Sequence, residues 1–157
     1  MTRESSTIAT IATGVEPSLR INESALEWFR TERGISRETL AQLGVASGMV
    51  QFDKKRPAIF FRYSEGWKAR SYPEKFFRTN EGFKLSFWNL ERVLRSVSDV
   101  VYVVEGECDA CALVESGVSA DCVLSVPNGA KIKPADDAKT APGYAYVEEA
   151  LDLGLSK

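Results

Sequence analysis

The sequence predicts an α/β protein (α+β taken as a whole): a short helical segment, a basic antiparallel β segment, then an incomplete parallel β-α-β sheet. Three observations carry this expectation. Val100–Val104 (VVYVV) is a continuous, largely β-branched apolar run of the kind that parallel sheets bury on both faces. Glu107–Gly117 follows with helical spacing: Ala110, Leu113 and Val114 form an apolar stripe, acids occupy the first turn, and Gly117 is placed to end it. Cys122–Val126 (CVLSV) then reads as a second buried strand, parallel to the first through a right-handed crossover.

The elements before these are justified in order. Met1–Pro17 is rich in Ser, Thr and Ala, without a basic start or a solid apolar core, so a tail rather than a signal peptide is expected over residues 1–20. Residues 21–48 read as a helical hairpin. Ser24-Ala25-Leu26-Glu27 fits a capping box, Leu26 and Phe29 supply an apolar face, and Gly34 stops the helix. Ser36 caps a second helix carrying Leu40 and Leu43, which Gly44 ends. The pair invites a helix-turn-helix reading, but the second helix offers only Arg37 as a basic residue.

From Met49 the period changes to two, and residues 49–95 read as a basic β segment. Pro57–Tyr63 and Gly66–Tyr72 form a hairpin about Ser64-Glu65-Gly66. In the second run Trp67, Ala69 and Ser71 take one face, and Lys68, Arg70 and Tyr72 the other. Lys75-Phe76-Phe77-Arg78 again interleaves basic and aromatic residues, and Glu91–Ser96 is a short helix leading into the first parallel strand. Lys131–Gly143 is a polar loop, and Tyr144–Leu155 a last helix.

Composition bounds the chemistry. With 44% apolar and 27% charged residues, and no apolar run of membrane-spanning length, a cytoplasmic globular protein without a membrane partner is expected. Histidine is absent, which excludes Ser-His-Asp and Cys-His nucleophiles, His-ligated zinc and imidazole acid–base steps. Charge is segregated. Residues 50–95 hold eleven Lys/Arg against five Asp/Glu, whereas residues 96–157 hold four against eleven. Cations spaced among Tyr, Phe and Trp suit nucleic acid, because they neutralise phosphates while aromatic faces accept bases. Large rings also fill small cores, so most of the aromatics are expected inside, and the basic residues are the stronger part of the signal.

Glu105-Gly106-x-x-Asp109 lies between a parallel strand and a helix, where open α/β sheets place their ligands. Three chemistries compete there. Two carboxylates four residues apart suit Mg²⁺, which takes oxygen ligands, waters and phosphates. Cys108-x-x-Cys111 at a helix start is where thioredoxin-like proteins keep their redox pair, although the acids beside it oppose a low thiol pKa. The third is structural: acids favoured by the helix dipole, with small cysteines packing as hydrophobes. Zinc lacks a fourth ligand, since Cys122 is the only other cysteine.

The run VVYVVEGECDACALVESGV followed by VLSVPNGA resembles the first half of a Toprim domain, in particular that of primase–helicases of the T7-phage and Twinkle type. RGISRETLAQLGVAS and KARSYPEKFFRTNEGFKLSFWNL resemble the helical and basic β segments that precede it, so residues 96–157 are expected to be a partial Toprim domain. The resemblance implies a DNA primase fragment in DNA replication. Its partners would be single-stranded DNA and nucleotides, a helicase domain or the missing Toprim half, and its cofactor Mg²⁺. By resemblance Glu105 is the catalytic or metal-site glutamate and Asp109 its supporting acid. Lys68, Arg70 and Lys75 meet nucleotide phosphates, and Gly129 is the glycine turn after the second strand.

One departure is large. The family completes its Mg²⁺ ligands with a later Asp-x-Asp; none follows Glu105, and Asp136-Asp137 are adjacent. Two-metal phosphoryl transfer clamps both the attacking and the leaving oxygen. A chain weak in Mg²⁺, and inactive alone as a polymerase, is therefore expected. A non-catalytic replisome interaction module is the alternative, and a CxxC redox protein the third.

Overall fold

The computed structural model describes residues 20–128 and 145–155; Gly129, Asp136, Asp137 and the expected polar loop lie outside the described residues. The fold is of the expected mixed α/β class. Helix α1 spans Glu23–Arg33 and α2 spans Arg37–Gln42. The cap of α1 is Asn22, not Ser24: the Ala25 amide donates to Asn22 Oδ1 at 2.9 Å. A long-range contact selects it, since the Asn22 amide donates to Ser47 Oγ at 2.8 Å and so holds the residue extended before the first turn. Gly34 ends α1 in the left-handed region (φ 64°), and Ser36 caps α2 by accepting from the Thr39 amide.

Four strands follow in an antiparallel sheet ordered as in the sequence: β1 (Ala46–Gln51), β2 (Lys55–Tyr63), β3 (Gly66–Ser71) and β4 (Phe77–Thr79). β1 is an element the periodicity does not announce. Its first residues are Ala46, Ser47 and Gly48, poor strand formers, and pairing with β2 from Ala46↔Phe60 to Gln51↔Lys55 makes it a strand. A two-residue turn, Ser64-Glu65, joins β2 to β3.

β3 keeps the expected alternation, but its charged face is not solvated: Lys68 and Arg70 are as buried as Trp67. The helices cover that face. One apolar cluster joins Phe29, Ile35 and Leu40 of the hairpin to Ile59, Phe61 and Tyr63 of β2 and to residues of the parallel unit. On the other face of the sheet Phe60, Trp67, Ala58 and Val50 make a second cluster.

Helix α3 (Leu90–Arg95) leads to β5 (Tyr102–Val104), α4 (Glu107–Glu115), a 3-10 turn at Ala120–Cys122, and β6 (Val123–Ser125), which pairs parallel with β5. α4 contributes Ala110, Cys111 and Val114 to the first cluster. The expectation that Val100–Val104 is buried on both faces is overturned. Only Tyr102–Val104 is strand, and Val100, Tyr102 and Val103 are 53%, 46% and 55% exposed. The fully buried strand is β6. Its second edge is taken by Trp88, whose amide donates to Ser125 O at 2.9 Å, so β6 is central and β5 is an edge among the described residues.

The expected last helix is α5 (Ala145–Ala150), which continues as a π-type turn, Leu151–Leu155, kinked at Gly154 (φ 101°). α5 closes a third cluster by setting Tyr146 edge-on to Phe87. No helix among the described residues is long and apolar enough to cross a membrane.

Candidate functional site

Glu105 leaves the carboxyl end of β5 and Asp109 stands in the first turn of α4; both are exposed. Between them Gly106 is the helix N-cap in extended backbone (φ −148°), a conformation open to any residue. Its lack of a side chain matters for another reason. A Cβ at Gly106 would lie 3.0 Å from Asp109 Oδ2, so the glycine leaves the space in which the Asp109 carboxylate folds back over the turn. The Asp109 amide also donates to Gly106 O at 3.0 Å. The turn thus carries two exposed carboxylates, one on each side of Gly106.

Those donors suit Mg²⁺ in kind, being hard oxygens, but not in number. No group of three or more His, Cys, Asp or Glu side chains able to hold a metal is gathered among the described residues. No reaction step follows from two carboxylates alone.

The acid that is engaged is Glu107, which the sequence pattern did not single out. It is buried, and its Oε1 accepts from Lys68 Nζ at 2.7 Å and from the Tyr63 hydroxyl at 2.5 Å. Lys68 Nζ also donates to Pro127 O at 2.6 Å. Burial, and then the neighbouring Glu107, push the Tyr63 hydroxyl far above its ordinary value, so it stays protonated as a donor. Lys68 therefore grips the first turn of α4 and the chain leaving β6 together, tying the carboxyl ends of both parallel strands to β3.

The other basic candidates separate. Arg70 is buried with its guanidinium 4.7 Å from the Trp28 ring centroid, and burial lowers its pKa from the usual value. Lys75 is exposed, 5.4 Å from the Phe77 ring centroid. Lys68 approaches the same ring at 4.9 Å. Phe77 itself is 50% exposed and Phe76 40% exposed, with Arg56 stacked 4.3 Å from the Phe76 centroid. Arg56 is in turn paired with Asp53 and Glu74. Phe77, opposite Arg70 on β4 and attended by Lys68 and Lys75, thus offers an outward-facing platform, whereas Phe76 stands with Phe52 and Arg56 on the other face of the sheet. The alternation of Lys75-Phe76-Phe77-Arg78 held its only signal in the sequence.

Cys108 is half-buried, Cys111 buried, and both are free thiols. Burial raises both thiol pKa values, that of Cys111 strongly, and the neighbouring acids add to it. An attacking thiol needs the opposite shift.

No family model, no curated protein and no solved structure matches this chain.

Proposed function

We propose that this chain is a primase-like, cytoplasmic component of DNA replication that binds single-stranded DNA or nucleotides on the basic–aromatic face around Phe77, at the β4 edge of its antiparallel sheet. The observation that carries the proposal is the exposed Phe77 ring, with Lys68 and Lys75 within cation–π distance of it. Bases stacked on such rings gain about 1–3 kcal/mol each, and cations beside them neutralise phosphates. Glu105 and Asp109, joined to that face through Lys68 and Glu107, are the groups that would meet a phosphate-borne Mg²⁺.

The test is anisotropy of a labelled dT oligonucleotide titrated with the full chain at several salt concentrations. Affinity is expected to fall steeply with salt, and Phe77→Ala and Lys75→Ala should each weaken binding roughly fivefold or more. Salt-independent binding, or binding indifferent to both substitutions, would overturn the proposal.

A second reading, as an interaction module, draws on one observation. β5 is an apolar edge strand flanked by Asp99 and Glu105, without the lysine or proline that commonly blunts such edges.

A further inference from the structure

A cleft of about 650 Å³ opens beside the β2–β3 turn, and neither Glu105, Asp109 nor Phe77 is among its lining residues. Its wall includes Asp121, which precedes β6, whereas Glu105 follows β5; at that wall the cleft meets the opposite ends of the parallel strands. Phe87 and Leu90, both buried, are apolar lining. Three guanidiniums complete it: Arg62 from the end of β2, and Arg92 and Arg95 one helical turn apart on α3.

The counter-charges in the cleft are few and loosely held. Arg62 is exposed and makes no ion pair among the described residues. Arg92 Nη1 stands 3.7 Å from Asp121, beyond hydrogen-bond length, while its Nη2 donates to Gln42 O at 2.7 Å, which fixes the side chain in place. Arg95 stands 3.5 Å from Glu91, and both of those side chains are more than half exposed. Pairs of this kind are worth little and yield easily to a better anion.

We infer that this cleft is a binding site for a phosphate-bearing ligand, either a free nucleotide or a phosphate of a nucleic-acid strand. Guanidinium forks match phosphate oxygens two at a time, and the two lining carboxylates, Glu91 and Asp121, engage Arg95 and Arg92 only loosely and leave Arg62 unpaired among the described residues. The volume falls within the range of roughly 300–1,000 Å³ usual for small-molecule sites. A polar, cationic rim over an apolar lining suits a molecule with an anionic head and a flat, weakly polar body. The inference does not depend on the proposed function: the cleft and the platform share no residue.

The experiment is calorimetric titration of the full chain with ATP, pyrophosphate, a dT oligonucleotide and an acidic peptide, repeated on variants. ATP should bind about tenfold or more weakly to the Arg62→Ala/Arg95→Ala double variant, since each lost arginine removes charge-assisted hydrogen bonds. Both side chains are exposed, so thermal unfolding should be unchanged and the loss attributable to the site. Asp121→Asn should tighten ATP severalfold by releasing Arg92, and Arg30→Ala, which removes an exposed arginine outside the cleft, should leave the Arg62/Arg95-dependent ATP affinity as it was. Displacement of ATP by pyrophosphate would mark free phosphates as the source of affinity. An oligonucleotide that alone loses affinity in the double variant would mark the strand backbone. Equal ATP and oligonucleotide affinities in wild type and double variant would overturn the inference. So would preference for the acidic peptide, or a loss of ATP binding in Arg30→Ala as large as that in the double variant.

Discussion

Lys68→Met puts the buried ion pair to the sharpest test. The Lys68 and Glu107 side chains are 9% and 5% exposed, and the ammonium holds Pro127 O as well as the carboxylate. Methionine keeps the length of the side chain and removes the charge. It strands the Glu107 carboxylate with Tyr63 as its one remaining side-chain donor, and leaves a carbonyl without its donor. Removing one member of a buried pair costs about 3–5 kcal/mol. For a chain of this size that is a fall in melting temperature on the order of 10 °C. Urea unfolding of four proteins measures it: wild type, Lys68→Met, Glu107→Gln and the double variant. The double variant should recover part of the loss, because an uncharged pair carries no stranded charge, giving a coupling energy of roughly 1–3 kcal/mol. Lys75→Ala, on an exposed side chain, should stay within about 0.5 kcal/mol of wild type. A Lys68→Met protein within about 1 kcal/mol of wild type, with no coupling to Glu107, would refute the clamp.

Two further outcomes follow from the same structure. Glu115 of α4 accepts from the Ser36 amide at 3.0 Å, from the Ser36 hydroxyl at 2.8 Å and from the Thr39 hydroxyl, and these bonds, that from Thr39 foremost, lower its carboxyl pKa below the ordinary 4.5. A depressed folded-state pKa contributes stability that is present above the unfolded value and lost as pH falls through the folded one. The melting temperature of Glu115→Gln should therefore vary less with pH below 4.5 than that of wild type, and parallel curves there would count against the contact. Gly106→Ala should leave stability within about 0.5 kcal/mol, since its backbone is unstrained and the facing atom ends a mobile side chain. It should nonetheless turn Asp109 away, read as reduced Mn²⁺ broadening of the Asp109 amide resonance; unchanged broadening would mean that the glycine is not what seats the carboxylate.

Local features were legible in the sequence and distant ones were not. Strand, Glu105-Gly106, helix and closing Gly117 follow from period and capping, which act over a few residues. Glu107 was invisible because its partner Lys68 is 39 residues away, and a glutamate in a first helical turn ordinarily needs no partner. The basic β segment shows how burial reorders a pattern. Lys68 and Arg70 share the face of β3 that the helices and α4 cover, so they are consumed by Glu107 and Trp28, while Phe77, opposite Arg70 on the edge strand β4, and Phe76 before it stay half-exposed. Ring character alone would have put the phenylalanines in and the cations out. For β5, composition gave the strand but not its burial, because burial depends on which strands stand beside it.

The clamp also bears on how the platform and the acidic turn relate. Lys68 Nζ is 4.9 Å from the Phe77 ring centroid and 2.7 Å from Glu107 Oε1, two residues beyond Glu105. One buried cation therefore fixes the distance between the exposed Phe77 ring and the acidic turn. A flexible surface lysine would leave the two free to drift. The pair is costly to desolvate, and an apolar pair of similar volume could match it in stability. Its geometry supplies what an apolar pair lacks: a directional hold on Pro127 O, on α4 and on the edge of Phe77 at once. Register between sheet and turn is thus the property that Lys68 secures, and substitution there should disturb binding and stability together, whereas Lys75→Ala disturbs binding alone.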